Sequence, residues 1–219
     1  MIYVCNELEQ WTQKLFTEQL ERVPTIRRQH ILRQTQPQSR YHSLTGWLLL
    51  LYAYEQEYGS PLPQIQVLAH GKPCFREEDR GYFSISHSGN LACCALGETA
   101  CGVDIQESRE ISSALIAKCC NDREIQLLQS VSGETEQERL FALLWSRKEA
   151  MGKLNGLGIS QNLRSLGWCE DFANEDLTGV SCMIASDTAL ALCYKGDRNP
   201  LQEQIAAVPL SSLFCKKSF

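Results

Sequence analysis

"ISHSGNLACCAL" at residues 85–96 and "IASDTALALCYK" at residues 184–195 share one plan: a polar turn, then a strand alternating small and apolar side chains. Upstream of each lies a helical segment with an apolar stripe, "SLTGWLLLLYAY" (43–54) in the first half and "ERLFALLWSRKEAMGKL" (138–154) in the second. A unit of this kind used twice predicts an α+β fold of two similar α/β-sandwich-like halves related by a pseudo-twofold axis. The boundary falls near "LGETACGVDI" (96–105), giving an N-terminal half at 1–100 and a C-terminal half at 101–219.

Around that pair the elements follow from periodicity and turn residues. A strand is expected at 2–5, helices at about 8–20, 24–33 and 38–58, a strand at 64–69, a hairpin over 82–96 and a strand at 101–105. Helices at about 110–118, 121–130 and 134–154 come next, then strands near 163–169, 179–185 and 189–194.

Composition narrows the function classes. With 219 residues, 43% of them hydrophobic and 21% charged, the chain reads as an ordinary globular protein. A net charge of -5 argues against a nucleic-acid binder, which needs clustered excess Lys and Arg, so any anion site must be local. "MIYVCNELEQ" (1–10) lacks the basic and apolar regions of an export signal, and "GWLLLLYAY" (46–54) is too short to span a bilayer. A cytoplasmic protein without membrane partners is expected. Eleven cysteines then read as reduced thiols filling the core; the doublets Cys93-Cys94 and Cys119-Cys120 lack zinc-site spacing.

Several short stretches carry candidate chemistry. In "WSRKEAMGK" (145–153), Glu149 and Lys153 are four apart on one helix face, with Lys148 beside them and Trp145 as core packing; a solvated ion pair is the plain alternative. "GVDIQ" (102–106) puts Asp104 at the end of a short apolar strand, where a lone carboxylate usually caps a helix or meets solvent. "GKPCF" (71–75) reads as a turn with Lys72 at its tip. "FSISHSGN" (83–90) sets Ser84, Ser86 and Ser88 around His87; these donors suit a phosphate, and equally suit a serine-rich hairpin with no ligand. In "KLNGLGIS" (153–160), Gly156 and Gly158 end the long helix.

In this order and spacing, "GKP", "F-x-x-SHS", "GVDI" and "W-x-x-KEA-x-x-K-x-x-G-x-G" resemble the phosphopantetheinyl transferase superfamily over roughly residues 20–195, in particular its long, pseudo-dimeric, surfactin-synthetase-activating type. The resemblance implies that coenzyme A and Mg2+ (or Mn2+) bind in a cleft between the halves. It also implies transfer of the 4'-phosphopantetheine arm to a serine of an apo acyl or peptidyl carrier protein, leaving adenosine 3',5'-bisphosphate. Asp104 and Glu149 match the family's metal ligands. Lys148 and Lys153 would offset phosphate charge, and Glu149 is the leading proton acceptor. Ser86 and His87 match contacts to the nucleotide phosphates, Lys72 another at the adenosine bisphosphate end, and of Arg27, Arg28, Arg33 and Arg40 the last is favoured for the 3'-phosphate.

Two positions depart from the pattern: Ser84 stands in place of Asn, and Gln106 in place of a second acidic residue, leaving Gln106 a neutral candidate at the metal. "EISSALIAKCCNDREIQLL" (110–128) matches the carrier-receiving region, predicting apolar docking through Ile111, Leu115 or Ile116. Two halves in one chain predict a monomer. The rival readings are a metal-dependent phosphohydrolase using Asp104 and Glu149, and a non-catalytic carrier-binding scaffold.

Overall fold

The computed structural model describes residues 1–77, 80–157, 162–166, 176–196 and 204–214. The chain runs β1 (Ile2–Cys5), α1 (Gln13–Leu20), α2 (Thr25–Arg33), α3 (Pro37–Tyr58), β2 (Ile65–Val67), β3 (Pro73–Phe75), β4 (Tyr82–Ser88), β5 (Leu91–Gly97) and β6 (Cys101–Glu107). It continues through α4 (Ser113–Cys119), α5 (Asp122–Ser130), α6 (Glu134–Asn155), β7 (Leu177–Ala185), β8 (Thr188–Lys195) and β9 (Ile205–Ala207). The fold is α+β, as expected.

The single helix expected over 8–20 is broken. Thr12 is extended and its hydroxyl accepts from the Leu15 amide, so α1 starts there, and a separate 3-10 turn occupies Leu8–Gln10. "GKPCF" is more than a turn, since β3 pairs antiparallel with β2. Where a strand was expected at 163–169, Leu163–Ser165 form a 3-10 turn capped by the Asn162 side chain; residues 167–169, like Gly158, lie outside the described residues.

One sheet has the order β4-β5-β1-β9 and the other β6-β8-β7. Helix α3 packs on the first sheet and α6 on the second. Alternation within the repeated strands explains their composition. Ala92, Cys94 and Leu96 of β5 face the core under α3, and Ala191 and Cys193 of β8 face the core under α6. Their neighbours Cys93, Ala95, Leu190, Leu192 and Tyr194 share a third core with β1 and β6. Small side chains let each helix lie close. The end of the chain returns to the first half: β9 adds in parallel to β1, and Val208, Leu210 and Leu213 join the core under α3.

The sheets abut where β4 runs beside β6, and side chains form the seam. Ser84 Oγ accepts from the Val103 amide at 3.0 Å and Ser88 Oγ from the Glu107 amide at 3.0 Å, while Ser86 Oγ donates to Asp104 Oδ1 at 2.6 Å. The serine run of "FSISHSGN" therefore ties the two sheets together. The alternate residues Phe83, Ile85 and His87 are left to line a cleft.

Candidate active site

Helix α6 is brought onto β6 by a glycine. A Cβ at Gly102 would lie 2.0 Å from the Ala150 carbonyl oxygen and 2.5 Å from the Leu154 amide, so only glycine admits this approach. The helix's inner face then meets Asp104, two residues along the strand. Asp104 Oδ1 accepts from Lys153 Nζ at 2.7 Å as well as from Ser86, while its Oδ2 is buried without a partner. Burial holds the Asp104 carboxyl above its ordinary range against the pull of Lys153 and Ser86.

Glu149 lies on α6 one turn before Lys153 and is 9% exposed; its Oε1 is likewise buried and unpartnered. Burial first, and then the negative charge of Asp104, push its carboxyl up to about 7, with Lys153 pulling the other way. Two buried carboxylate oxygens without hydrogen bonds are hard donors of the kind Mg2+ or Mn2+ takes, so the residues fit such an ion. Among the described residues no group of three or more His, Cys, Asp or Glu is placed to hold a metal. A cation here would draw its other ligands from water and a phosphate.

Lys153 also borders a cleft of about 260 Å³ running from α6 to α2 and α3. Among the described residues its wall carries Arg27, His30, His70, Lys72, His87 and Lys153 and no carboxylate, a local basic surface on an acidic chain. Lys72 Nζ donates to the carbonyls of Cys101 (3.2 Å) and Leu154 (3.4 Å), binding the β3 turn to α6. Arg27 sits 5.2 Å over the Trp47 ring and donates to Ser43 Oγ at 2.8 Å. Burial lowers its guanidinium to about 10, and its Nε and the Trp47 Nε1 are buried donors without partners. Unpaired donors at one side and unpaired acceptors at the other suit an anion and a cation respectively.

Three expectations need correction or restriction. Lys148 is absent from this cleft: its Nζ is buried beside Glu124 Oε1 at 2.9 Å and donates to the Leu163 and Leu166 carbonyls at 2.8 and 3.0 Å. One residue from Glu149, it points a quarter-turn or so away on the helix and anchors α5 and residues 162–166. Arg40 is also elsewhere, donating through Nε to the Gln34 carbonyl between α2 and α3; Arg27 holds the place in the cleft. Gln106 follows Asp104 on the same side of β6, but its Nε2 donates to the Glu107 carbonyl at 2.8 Å, and no described hydrogen bond joins it to either carboxylate.

In the sequence Arg27 was passed over for Arg40, and His30, His42 and His70 went unread. Arg27 and His30 share α2 with the fully buried Ile31, four residues after Arg27, and that spacing marks Arg27 as inward-facing. His42 carried no signal of its own; its ring stacks on His87, with centroids 4.9 Å apart. Trp145 is half-buried against the second core and stacked on Phe141, as expected of packing. Ile111, Leu115 and Ile116 are half-buried too, and Ile111 and Ile116 line a second groove with Ile125 and Leu128.

Comparison with known proteins identifies the family. A family model described as the 4'-phosphopantetheinyl transferase superfamily matches residues 100–207. The chain is 36% identical over 125 residues to the 4'-phosphopantetheinyl transferase psf-1 of Bacillus pumilus, covering 56% of this chain and 53% of that protein. It is 30% identical over 127 residues to Sfp of Bacillus subtilis (strain 168), covering 57% and 56% respectively. These matches therefore span about half the length of those relatives. A longer match is to AcpT of Escherichia coli O157:H7, 32% identical over 167 residues, covering 74% of this chain and 80% of that protein. The chain belongs to the 4'-phosphopantetheinyl transferase superfamily.

Proposed function

We propose that the protein transfers the 4'-phosphopantetheine group of coenzyme A to a serine of an apo acyl or peptidyl carrier protein, releasing adenosine 3',5'-bisphosphate. The observation that carries this reading is the junction at Lys153, where a basic cleft with unpaired buried donors meets two carboxylates with unpaired buried acceptors. The nucleotide phosphates lie in the cleft against Arg27, Lys72, His87 and Lys153. Asp104 and Glu149 hold Mg2+ or Mn2+ with the pyrophosphate, and Gln106 stands at the margin, where a water can replace it. When bound, the cation supplies charge neutralisation for the pyrophosphate.

The chain's own groups account for the remaining steps. Without metal the Glu149 carboxyl is raised to about 7 by burial and by Asp104; its carboxylate, favoured once a cation is bound, takes the proton of the attacking serine, directly or through water. The serine oxygen bonds to the β-phosphorus, and the bond from that phosphorus to the bridging oxygen breaks. Lys153 offsets charge on the phosphates and favours the ionised form of Asp104 against the effect of burial. Ser86 fixes the Asp104 carboxylate from across the seam.

The carrier docks on the apolar groove of α4 and α5 beside Ile111 and Ile116. Leu115→Asp, at the edge of that surface, should raise the Michaelis constant for the carrier; an unchanged constant would move docking elsewhere. No helix among the described residues is long and apolar enough to cross a membrane. We place the protein in the cytoplasm as a monomer.

Mass spectrometry of purified apo acyl and peptidyl carriers after incubation with the protein, coenzyme A and Mg2+ tests the reading. The expected product is carrier bearing the arm on serine. Coenzyme A cleaved with the carrier unmodified would indicate a phosphohydrolase, and carrier binding without any reaction a scaffold.

A further inference from the structure

We propose that His42 is a positioning residue of the phosphate cleft, and that His87, stacked on its ring, takes up a proton from solvent when a nucleotide phosphate binds. The inference rests on the transferase reading, which puts a nucleotide phosphate in this cleft, and adds a residue and a proton linkage to it.

His42 Nε2 lies 2.5 Å from the Gly89 carbonyl oxygen. A carbonyl only accepts, so that nitrogen carries hydrogen and the ring is fixed between α3 and the β4–β5 turn. The turn itself has little freedom. Gly89 has φ +53°, a Cβ there would overlap the Glu107 carboxylate, and Glu107 Oε1 accepts from the Asn90 amide at 3.0 Å. His87, the last cleft-facing residue of β4, is stacked on this prefixed ring at an interplanar angle of 22°.

The charges around the pair decide its protonation. His87 is faced by His42 from α3, Arg27 from α2 and Lys153 from α6, and the carboxylate at the turn, Glu107, is engaged with Asn90. Packing around the ring and those cations lower the His87 imidazole from its ordinary value while its edge stays open to the cleft, so the free protein holds it largely neutral at physiological pH. A phosphate placed among the same groups reverses the balance, because it stabilises imidazolium. Proton affinity is then higher in the complex than in the free protein. Binding takes up a proton, and phosphate affinity falls as pH rises from the free value through the value in the complex.

The chain has only four histidines, three of which line the cleft while the fourth is His42, so their imidazole signals can be followed together by NMR. Wild-type protein is titrated from about pH 5 to about pH 9 with and without coenzyme A. Coenzyme A should shift the His87 titration to higher pH, with His42→Phe and His87→Gln identifying the signals. Calorimetry in two buffers of different ionisation heat should show more proton uptake for wild type than for either variant. The wild-type affinity should also fall more steeply, by up to about tenfold per pH unit. Ionisation of the ligand and of Glu149 is common to the three proteins and cancels in the difference. Coenzyme A binding that leaves the histidine titrations unmoved, or equal proton uptake in all three proteins, overturns the inference alone. Failure of coenzyme A to bind wild type overturns the transferase reading with it.

Discussion

Helices α3 and α6 are each 22 residues long, each lies across a sheet, and each ends at a glycine with positive φ, Gly59 and Gly156. What they bury differs. The inner positions of α3 carry no charge: Leu44, Trp47, Leu48, Leu49 and Leu50 are almost wholly buried, with only Ser43 and Thr45 as buried polar neighbours. The equivalent stretch of α6 buries Ser146, Lys148 and Glu149 among Ala150, Met151 and Gly152. One helix is there for packing, while the other accepts buried charge, which is unfavourable unless paired or used. Lys148 is paired, by Glu124 and two carbonyls, and is structural. Glu149 has an oxygen with no partner and is the member proposed for chemistry.

The contrast predicts different failures for the two helices. The largest effect belongs to the carboxylates: Glu149→Ala or Asp104→Ala should abolish nearly all transfer while the protein stays folded, checked by carrier mass spectrometry beside circular dichroism. On α3, Leu49→Ala should lower unfolding free energy by about 2–5 kcal/mol in a denaturant titration, leaving turnover per folded molecule unchanged. Lys153→Ala removes a charge-assisted contact of about 1.5–3 kcal/mol and should slow transfer roughly tenfold to more than a hundredfold. Wild-type turnover and coenzyme A affinity in that variant would make the Lys153–Asp104 pair structural only. The smallest effect should come from Gln106→Ala, because water can fill its place; damage equal to that of Asp104→Ala would make Gln106 a direct ligand.

Much of this contrast was legible in the sequence. The repeated helix and hairpin stand out because their apolar positions are periodic over many residues, and Asp104, Glu149 and Lys153 sit in spaced motifs. Strand β9 was missed: three residues have no measurable period, and they are held by a parallel partner at the other end of the chain. Lys148 was misassigned because Glu124 and the Leu163 and Leu166 carbonyls meet it only through tertiary packing. Arg40 was preferred to Arg27 on position alone, where the buried Ile31 one turn beyond Arg27 was the better guide. His42 was silent because its two partners, His87 and Gly89, are distant in sequence.

The central claim is that Glu149 is kept unpaired for chemistry at the expense of stability. Its carboxyl is raised from 4.5 to about 7 on folding, so its contribution to stability is fully present below 4.5 and is lost as pH rises through 7. At about pH 8 without metal, the buried charge should cost about 1–3 kcal/mol. Thermal unfolding of Glu149→Gln beside wild type at that pH tests the claim directly, read together with the transfer activity of the same samples. The account predicts a variant that melts several degrees higher, about 2–4 °C per kcal/mol, and transfers nothing. A variant that melts at or below the wild-type temperature, or that still modifies the carrier, contradicts it.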